Sequence, residues 1–179
     1  MKKIYVLGMG DSLKEFTTKL HKEITIGVNY IWKYYPSDIV ICIDRIKSLP
    51  EWKTNIICQG RQKQFISNYN EWESIVANYK HKPLSGLGRG NLKDIDDIGV
   101  LCYASNSIYS AVVHAYHLGA TDIVMYGVDF NNHPAINGKF AETEISRIIN
   151  LRNVLKERNV NLFVGSEKSK LHPQIEILK

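Results

Sequence analysis

The chain has 179 residues, a size suited to one domain with a substantial core. An apolar share of 44% and a charged share of 23% place it among globular proteins, and no apolar run approaches the roughly 20 residues needed to span a bilayer. Three widely spaced cysteines (Cys42, Cys58, Cys102) form no CxxC pair, which argues against a disulfide framework or a structural zinc site; a net charge of +5 permits a polyanionic partner without requiring one.

The apolar run that begins at Ile4 is broken by Gly8, Gly10 and Asp11, too early for a signal peptide. It predicts a first strand, in a cytoplasmic protein, followed by a glycine-bearing turn into a helix near 12–22, with Asp11 or Ser12 as its cap. Residues 24–28 predict a second strand ending at Asn29, and the aromatic stretch 30–35 a short helix stopped by Pro36. Residues 38–44 predict a third strand with Asp44 and Arg45 emerging at its end, and 54–58 a fourth. The span 60–100 is irregular, with a helical segment around 70–79, a glycine-rich loop about Arg89 and an acidic patch at Asp94, Asp96 and Asp97.

The most regular stretch is 106–130. Apolar or small residues at Ile108, Ala111, Val112, Ala115 and Leu118 recur at helical steps, and Gly119 stands where a helix C-cap belongs. Ile123, Val124, Met125 and Tyr126 read as a parallel strand covered on both faces, ending at Gly127 and Asp129. A loop at 131–138 leads to an amphipathic helix over 142–158, a last interior strand at 161–165 and an edge strand within 173–178. Strand and helix alternate throughout, so the fold class is α/β: one Rossmann-like, doubly wound domain over 1–179 with a mostly parallel sheet.

Ligands of such sheets bind beyond the carboxyl ends of the strands. Candidate residues there are Gly8, Met9, Gly10, Asp11 and Ser12 in the first turn, Asn29, Asp44, Asn106 and Ser107, and Gly127 with Asp129. Each also has a plain reading as a turn or cap residue. Leu13 occupies the third glycine position of GxGxxG, which disfavours an ordinary nicotinamide dinucleotide fold, and Asp11 would repel a phosphate held directly in the turn. Arg89 between glycines, and Ser169 with Lys170 after the last strand, are candidate phosphate ligands. His133, shortly after Asp129, is a candidate general base.

The turn Gly8-Met9-Gly10-Asp11-Ser12-Leu13 resembles the G-N-G-P-S-L turn of bacterial lipo-oligosaccharide sialyltransferases and related DUF115-type proteins. Asn29 stands where that family places an asparagine that contacts the nucleotide, and 105–130 is similar to its helix and G-x-D-F block. The resemblance implies a metal-independent glycosyltransferase without a cofactor, using a nucleotide sugar such as a CMP-sugar as co-substrate. It implies a histidine base beyond the G-x-D-F block, here His133. Asp129, at the end of its strand, is the other candidate catalytic residue. Met9 and Asp11 depart from the family's asparagine and proline, and 131–142 is a short replacement for its lid. Those departures point to a different donor, or to a partner or homo-oligomer needed for activity. The short basic chain would also suit a phage or mobile-element enzyme acting on nucleic acid in place of a glycan. The alternatives are a pterin pyrophosphokinase-like phosphotransferase, with Mg²⁺ and ATP on Asp44 or the acidic patch, and a non-catalytic nucleotide- or nucleic-acid-binding module.

Overall fold

Each buried strand feeds a crossover that returns to the same end of the sheet, so every strand pair is parallel. The structure is a computed structural model and describes residues 1–17, 22–85, 95–102, 104, 106–131 and 138–178. In chain order the elements are β1 (Lys3–Leu7), α1 (Leu13–Thr17), β2 (Ile24–Val28), β3 (Ile39–Ile41), α2 (Glu51–Gln59), β4 (Gln64–Ser67) and β5 (Tyr79–His81). There follow β6 (Leu84–Ser85), β7 (Leu101–Cys102), α3 (Ser107–His117), β8 (Asp122–Tyr126), α4 (Gly138–Glu157) and β9 (Asn161–Val164). The main sheet has the order β5-β4-β3-β2-β1-β8-β9, and β6 pairs with β7 in a small second sheet. The chain winds outward from β1 to β5, then crosses back to place β8 on the other side of β1. Strand order therefore reverses at β1.

Side chains alternate across a strand, and here both faces are covered. Ile4, Val6, Ile26, Ile41, Ile123 and Met125 pack with Val112 and Ala115 of α3 and with Ile148, Leu151 and Leu155 of α4. Tyr5, Leu7, Val40, Phe65 and Val124 pack on the opposite face with Leu13 and Phe16 of α1, Ile57 of α2, and Trp72. The result is three layers, with the central strands mostly apolar on both faces.

The local signals decide most boundaries. The β1–β8 register (Ile4 beside Ile123) and the β1–β2 register (Ile4 beside Ile24) keep the apolar faces together. α3 stops because Gly119 takes φ +78° and turns its N–H back to the Tyr116 carbonyl at 2.8 Å.

Four sequence expectations are corrected. Residues 54–58 are not a strand but the middle of α2: the run Ile56-Ile57-Cys58 is too short for periodicity to separate strand from helix, and Pro50 opens the helix. The strand in that place is β4, and the expected helix at 70–79 is a 3₁₀ turn at Asn70–Trp72 followed by edge strand β5. The aromatic stretch after β2 is a single 3₁₀ turn, Ile31–Lys33. The tail makes one bridge, Ile177 beside Val164, in place of a full edge strand. Of the first helix, Leu13–Thr17 is described, and 18–21 lie outside the described residues.

His114 of α3 is 4% exposed, and neither ring nitrogen has a hydrogen-bond partner among the described residues. Burial, reinforced by the Lys82 charge, pushes its pKa from 6.5 down to about 3. The unfolded chain takes up this proton near pH 6.5 and the folded chain does not, so stability is full above pH 6.5 and is lost as pH falls toward 3. Between neutrality and pH 5 this histidine should cost the fold about 2 kcal/mol. Urea unfolding at both pH values checks this: His114→Gln should flatten the fall, and an unchanged slope would exclude His114 as its source.

Candidate functional site

A cleft of about 320 Å³ opens at the carboxyl ends of β1, β2 and β8, beside the N-terminus of α3. This is the point at which strand order reverses, where successive crossovers leave the sheet on different sides.

Its floor is built from two turns pressed together. The Gly8 N–H donates to the Tyr126 carbonyl and the Gly10 N–H to the Gly127 carbonyl, each at 2.8 Å. A Cβ on Gly8 would lie 2.3 Å from the Gly127 oxygen, and one on Gly127 would lie 2.4 Å from the Gly8 oxygen. These glycines line the cleft, yet what demands them is the approach of one backbone to the other.

Asp129 ties the same turns together. Its carboxylate accepts from the Ser12 backbone N–H at 2.8 Å and, through its other oxygen, from the Ser12 hydroxyl. The Ser12 oxygen in turn accepts from the Gly127 N–H at 2.8 Å. Asp129 lines the cleft but is 4% exposed, with each carboxylate oxygen engaged by Ser12. The arrangement gives Asp129, expected among the catalytic residues, the work of positioning the first turn.

Asn29 follows β2 in the left-handed region, φ 51°, and its N–H donates to the Ile41 carbonyl at 3.0 Å. Asparagine tolerates this conformation better than most side chains. Its Oδ1 accepts from the Ser107 hydroxyl at 3.2 Å, and its Nδ2 has no hydrogen-bond partner among the described residues. Asn106 caps α3 by accepting from the Tyr109 N–H at 2.8 Å, and its Nδ2 donates to the Glu144 carboxylate. Glu144 of α4 is fully buried and also pairs with Arg147, which donates to the Ala104 carbonyl at 3.1 Å. Burial pushes the Glu144 pKa up, against the hydrogen bonds from Arg147 and Asn106 that hold the charged form.

Of the expected residues, Gly8, Met9, Gly10, Asp11, Asn29, Asn106, Ser107, Gly127 and Asp129 line this cleft, and Ser12 stands just beneath. Asp11 also makes an exposed ion pair with Lys14. Others fall elsewhere. Asp44 does not line the cleft; burial raises its pKa, offset by Lys53, and its carbonyl accepts from Trp72. Ser169 is buried with its hydroxyl on the Val128 carbonyl, and the Lys170 N–H holds the Asp129 carbonyl, so this segment buttresses the β8 turn from behind. Arg89 and His133 lie outside the described residues. Asp96 is committed to Arg158 and Tyr116, and no three His, Cys, Asp or Glu side chains converge among the described residues. The carboxylates suggested for magnesium are therefore not gathered there; Asp94 lies outside the described residues.

Sequence reasoning missed Tyr30, Tyr34 and Glu144. Their signals were an aromatic run directly after a strand and a carboxylate in the inward stripe Ala141, Glu144, Ile148, Leu151, Leu155.

No family model matches the sequence, and no curated protein does. Solved structures do match in fold. The sialyltransferase CstII from Campylobacter jejuni, in complex with cytidine-5'-monophosphate, has a TM-score of 0.60 at 14% identity, over 100% of this chain and 86% of that one. Its complex with CMP-3FNeuAc gives 0.61 at 15% identity over the same shares. The MAf glycosyltransferase from Magnetospirillum magneticum AMB-1 gives 0.66 at 10% identity, over 99% of this chain and 33% of that one. The fold is thus Rossmann-like and sialyltransferase-like, and no helix among the described residues is long and apolar enough to cross a membrane. No family model supports the DUF115 part of the resemblance.

Asp129→Ala should destabilise the fold by about 3 kcal/mol, because it strands buried donors of Ser12. Asp129→Asn should recover part of that loss, since its carbonyl oxygen still accepts. Chemical denaturation of both variants measures the difference; wild-type stability in Asp129→Ala would contradict the positioning role.

Proposed function

We propose that this chain is a glycosyltransferase that moves a sugar from a nucleotide-sugar donor, of the CMP-sugar kind, to an acceptor hydroxyl. The supporting observation is the cleft at the β1 reversal, where the Asn29 Nδ2 has no hydrogen-bond partner among the described residues, in a fold like that of a sialyltransferase in complex with CMP. Asn29 would donate from Nδ2 to the base or a ribose hydroxyl, and Ser107 holds it in place. Residues 8–11 shape the wall beside the nucleotide. The positive end of α3, at Ser107 and Ile108, lines the cleft and would stabilise charge developing on the leaving phosphate.

In the transfer, the acceptor oxygen forms a bond to the anomeric carbon as the bond from that carbon to the phosphate oxygen breaks. The nucleoside phosphate leaves with the electron pair, and the acceptor proton passes to a base, for which His133 is our candidate. Asp129 holds the first turn. The proposal is of a metal-independent reaction with no cofactor, the nucleotide sugar being a co-substrate, and with a glycan as acceptor.

A thermal-shift series with CMP, UDP, ADP and ATP, in EDTA and in Mg²⁺, tests the donor. A ligand at about 100 times its Kd adds about 2.7 kcal/mol. The expected result is stabilisation by a pyrimidine nucleotide in EDTA, lost in Asn29→Ala. Stabilisation by ATP with Mg²⁺ alone would replace this reading with a phosphotransferase, and binding without turnover of any nucleotide sugar would reduce it to a binding module. With a donor in hand, His133→Ala should lower kcat by roughly 10²- to 10⁴-fold with little change in donor affinity. Unchanged turnover would remove His133 from the mechanism.

A further inference from the structure

The 3₁₀ turn after β2 and the first turn of α2 meet beside the cleft. Tyr30 and Tyr34 line it, and the Tyr30 ring stands edge-on to Trp52 at 5.1 Å between centroids. Tyr34 and Trp52 are 48% and 47% exposed, large for aromatic side chains. Two ammonium groups lie over these rings: Lys33 Nζ is 5.3 Å from the Trp52 centroid and 5.4 Å from that of Tyr34, while Lys53 Nζ is 4.7 Å from Tyr30 and 5.5 Å from Trp52. Neither lysine is in an ion pair among the described residues, although Asp44 feels the Lys53 charge.

We propose that this platform is the acceptor subsite, and that the acceptor it takes is an anionic saccharide bearing a phosphate or a carboxylate. The proposal rests on the transferase reading of the cleft. It adds which molecule receives the sugar and where that molecule sits. A sugar ring offers C–H faces that pack on exposed aromatic rings, and an attached oxyanion meets two ammoniums that form no ion pair among the described residues. The platform continues from Tyr30, the residue after Asn29, so an acceptor there would lie next to the donor.

The geometry favours a saccharide over single-stranded nucleic acid. Successive bases stack along one direction on parallel ring faces. The rings here are tilted, by 73° between Tyr30 and Trp52 and 46° between Tyr30 and Tyr34, and present no common stacking direction.

Saturation-transfer NMR on the intact protein tests the proposal with four probes: glucose 6-phosphate, methyl glucuronide, methyl glucoside and a short oligothymidylate. Signal from the phosphate or carboxylate sugar, absent for neutral methyl glucoside, is the expected result, and the two acidic probes tell which anion is preferred. The double variant Lys33→Ala/Lys53→Ala should weaken that binding by at least about ten-fold, and Trp52→Ala should also weaken it. Equal signal from methyl glucoside, no response to the variants, no saccharide binding at all, or stronger binding of the oligothymidylate would each overturn it. The CMP thermal shift is read on the same samples. Saccharide binding without a CMP response would sink the donor reading while leaving the anion platform, and the reverse would sink only the platform.

Discussion

The Asp129 carboxylate, sealed between the turns after β1 and β8, is the interaction on which the site depends. An ionised group taken out of water costs several kcal/mol unless donors meet it. Ser12 meets it twice, from its backbone and its hydroxyl, and the Gly127 N–H closes the set on the Ser12 oxygen. The contact works only because both turns approach without side chains, at Gly8 and Gly127. The G-x-D-F block and the glycine turn of the first strand are thus two halves of one structural device.

With that floor fixed, the cleft follows from topology. β1 and β8 are neighbours whose onward chains diverge, and α3 and the β2 turn supply the remaining walls. Two buried carboxylates act from beneath: Asp129 sets the first turn, and Glu144 sets the Asn106 side chain that caps α3. Apart from Asp11, which pairs with Lys14, what reaches the cleft is the Asn29 amide, the Ser107 hydroxyl and backbone groups. Neutral donors beside a helix N-terminus suit an uncharged base and sugar joined to a phosphate, the chemistry of the proposed donor.

Much of this was legible in the sequence, for identifiable reasons. Strands β1, β2 and β8 are buried on both faces and read as mostly apolar runs; α3 and α4 have a helical period and, for α3, a glycine stop. Residues at strand ends could be nominated because a parallel sheet sends them all to one edge. α2 could not be read, since Ile56-Ile57-Cys58 fits either period, and that error hid the meeting of Trp52 and Lys53 with Tyr30 and Tyr34. β5 is a three-residue edge strand with two exposed residues and little apolar pattern. The Ser12–Asp129 bond spans 117 residues, so no local signal could show that a nominated carboxylate was already occupied. The same holds for Ser169, whose position after a strand suggested phosphate binding but whose hydroxyl supports the Val128 carbonyl.

We propose that the cleft at the β1 reversal holds a nucleotide. Backbone amide NMR of the intact protein during a CMP titration addresses it residue by residue. Saturable shifts are expected at residues 8–11, at Asn29 and at Ser107 and Ile108, with α2 and the outer face of α4 unmoved. Shifts centred away from those turns, or none up to millimolar CMP, would contradict it.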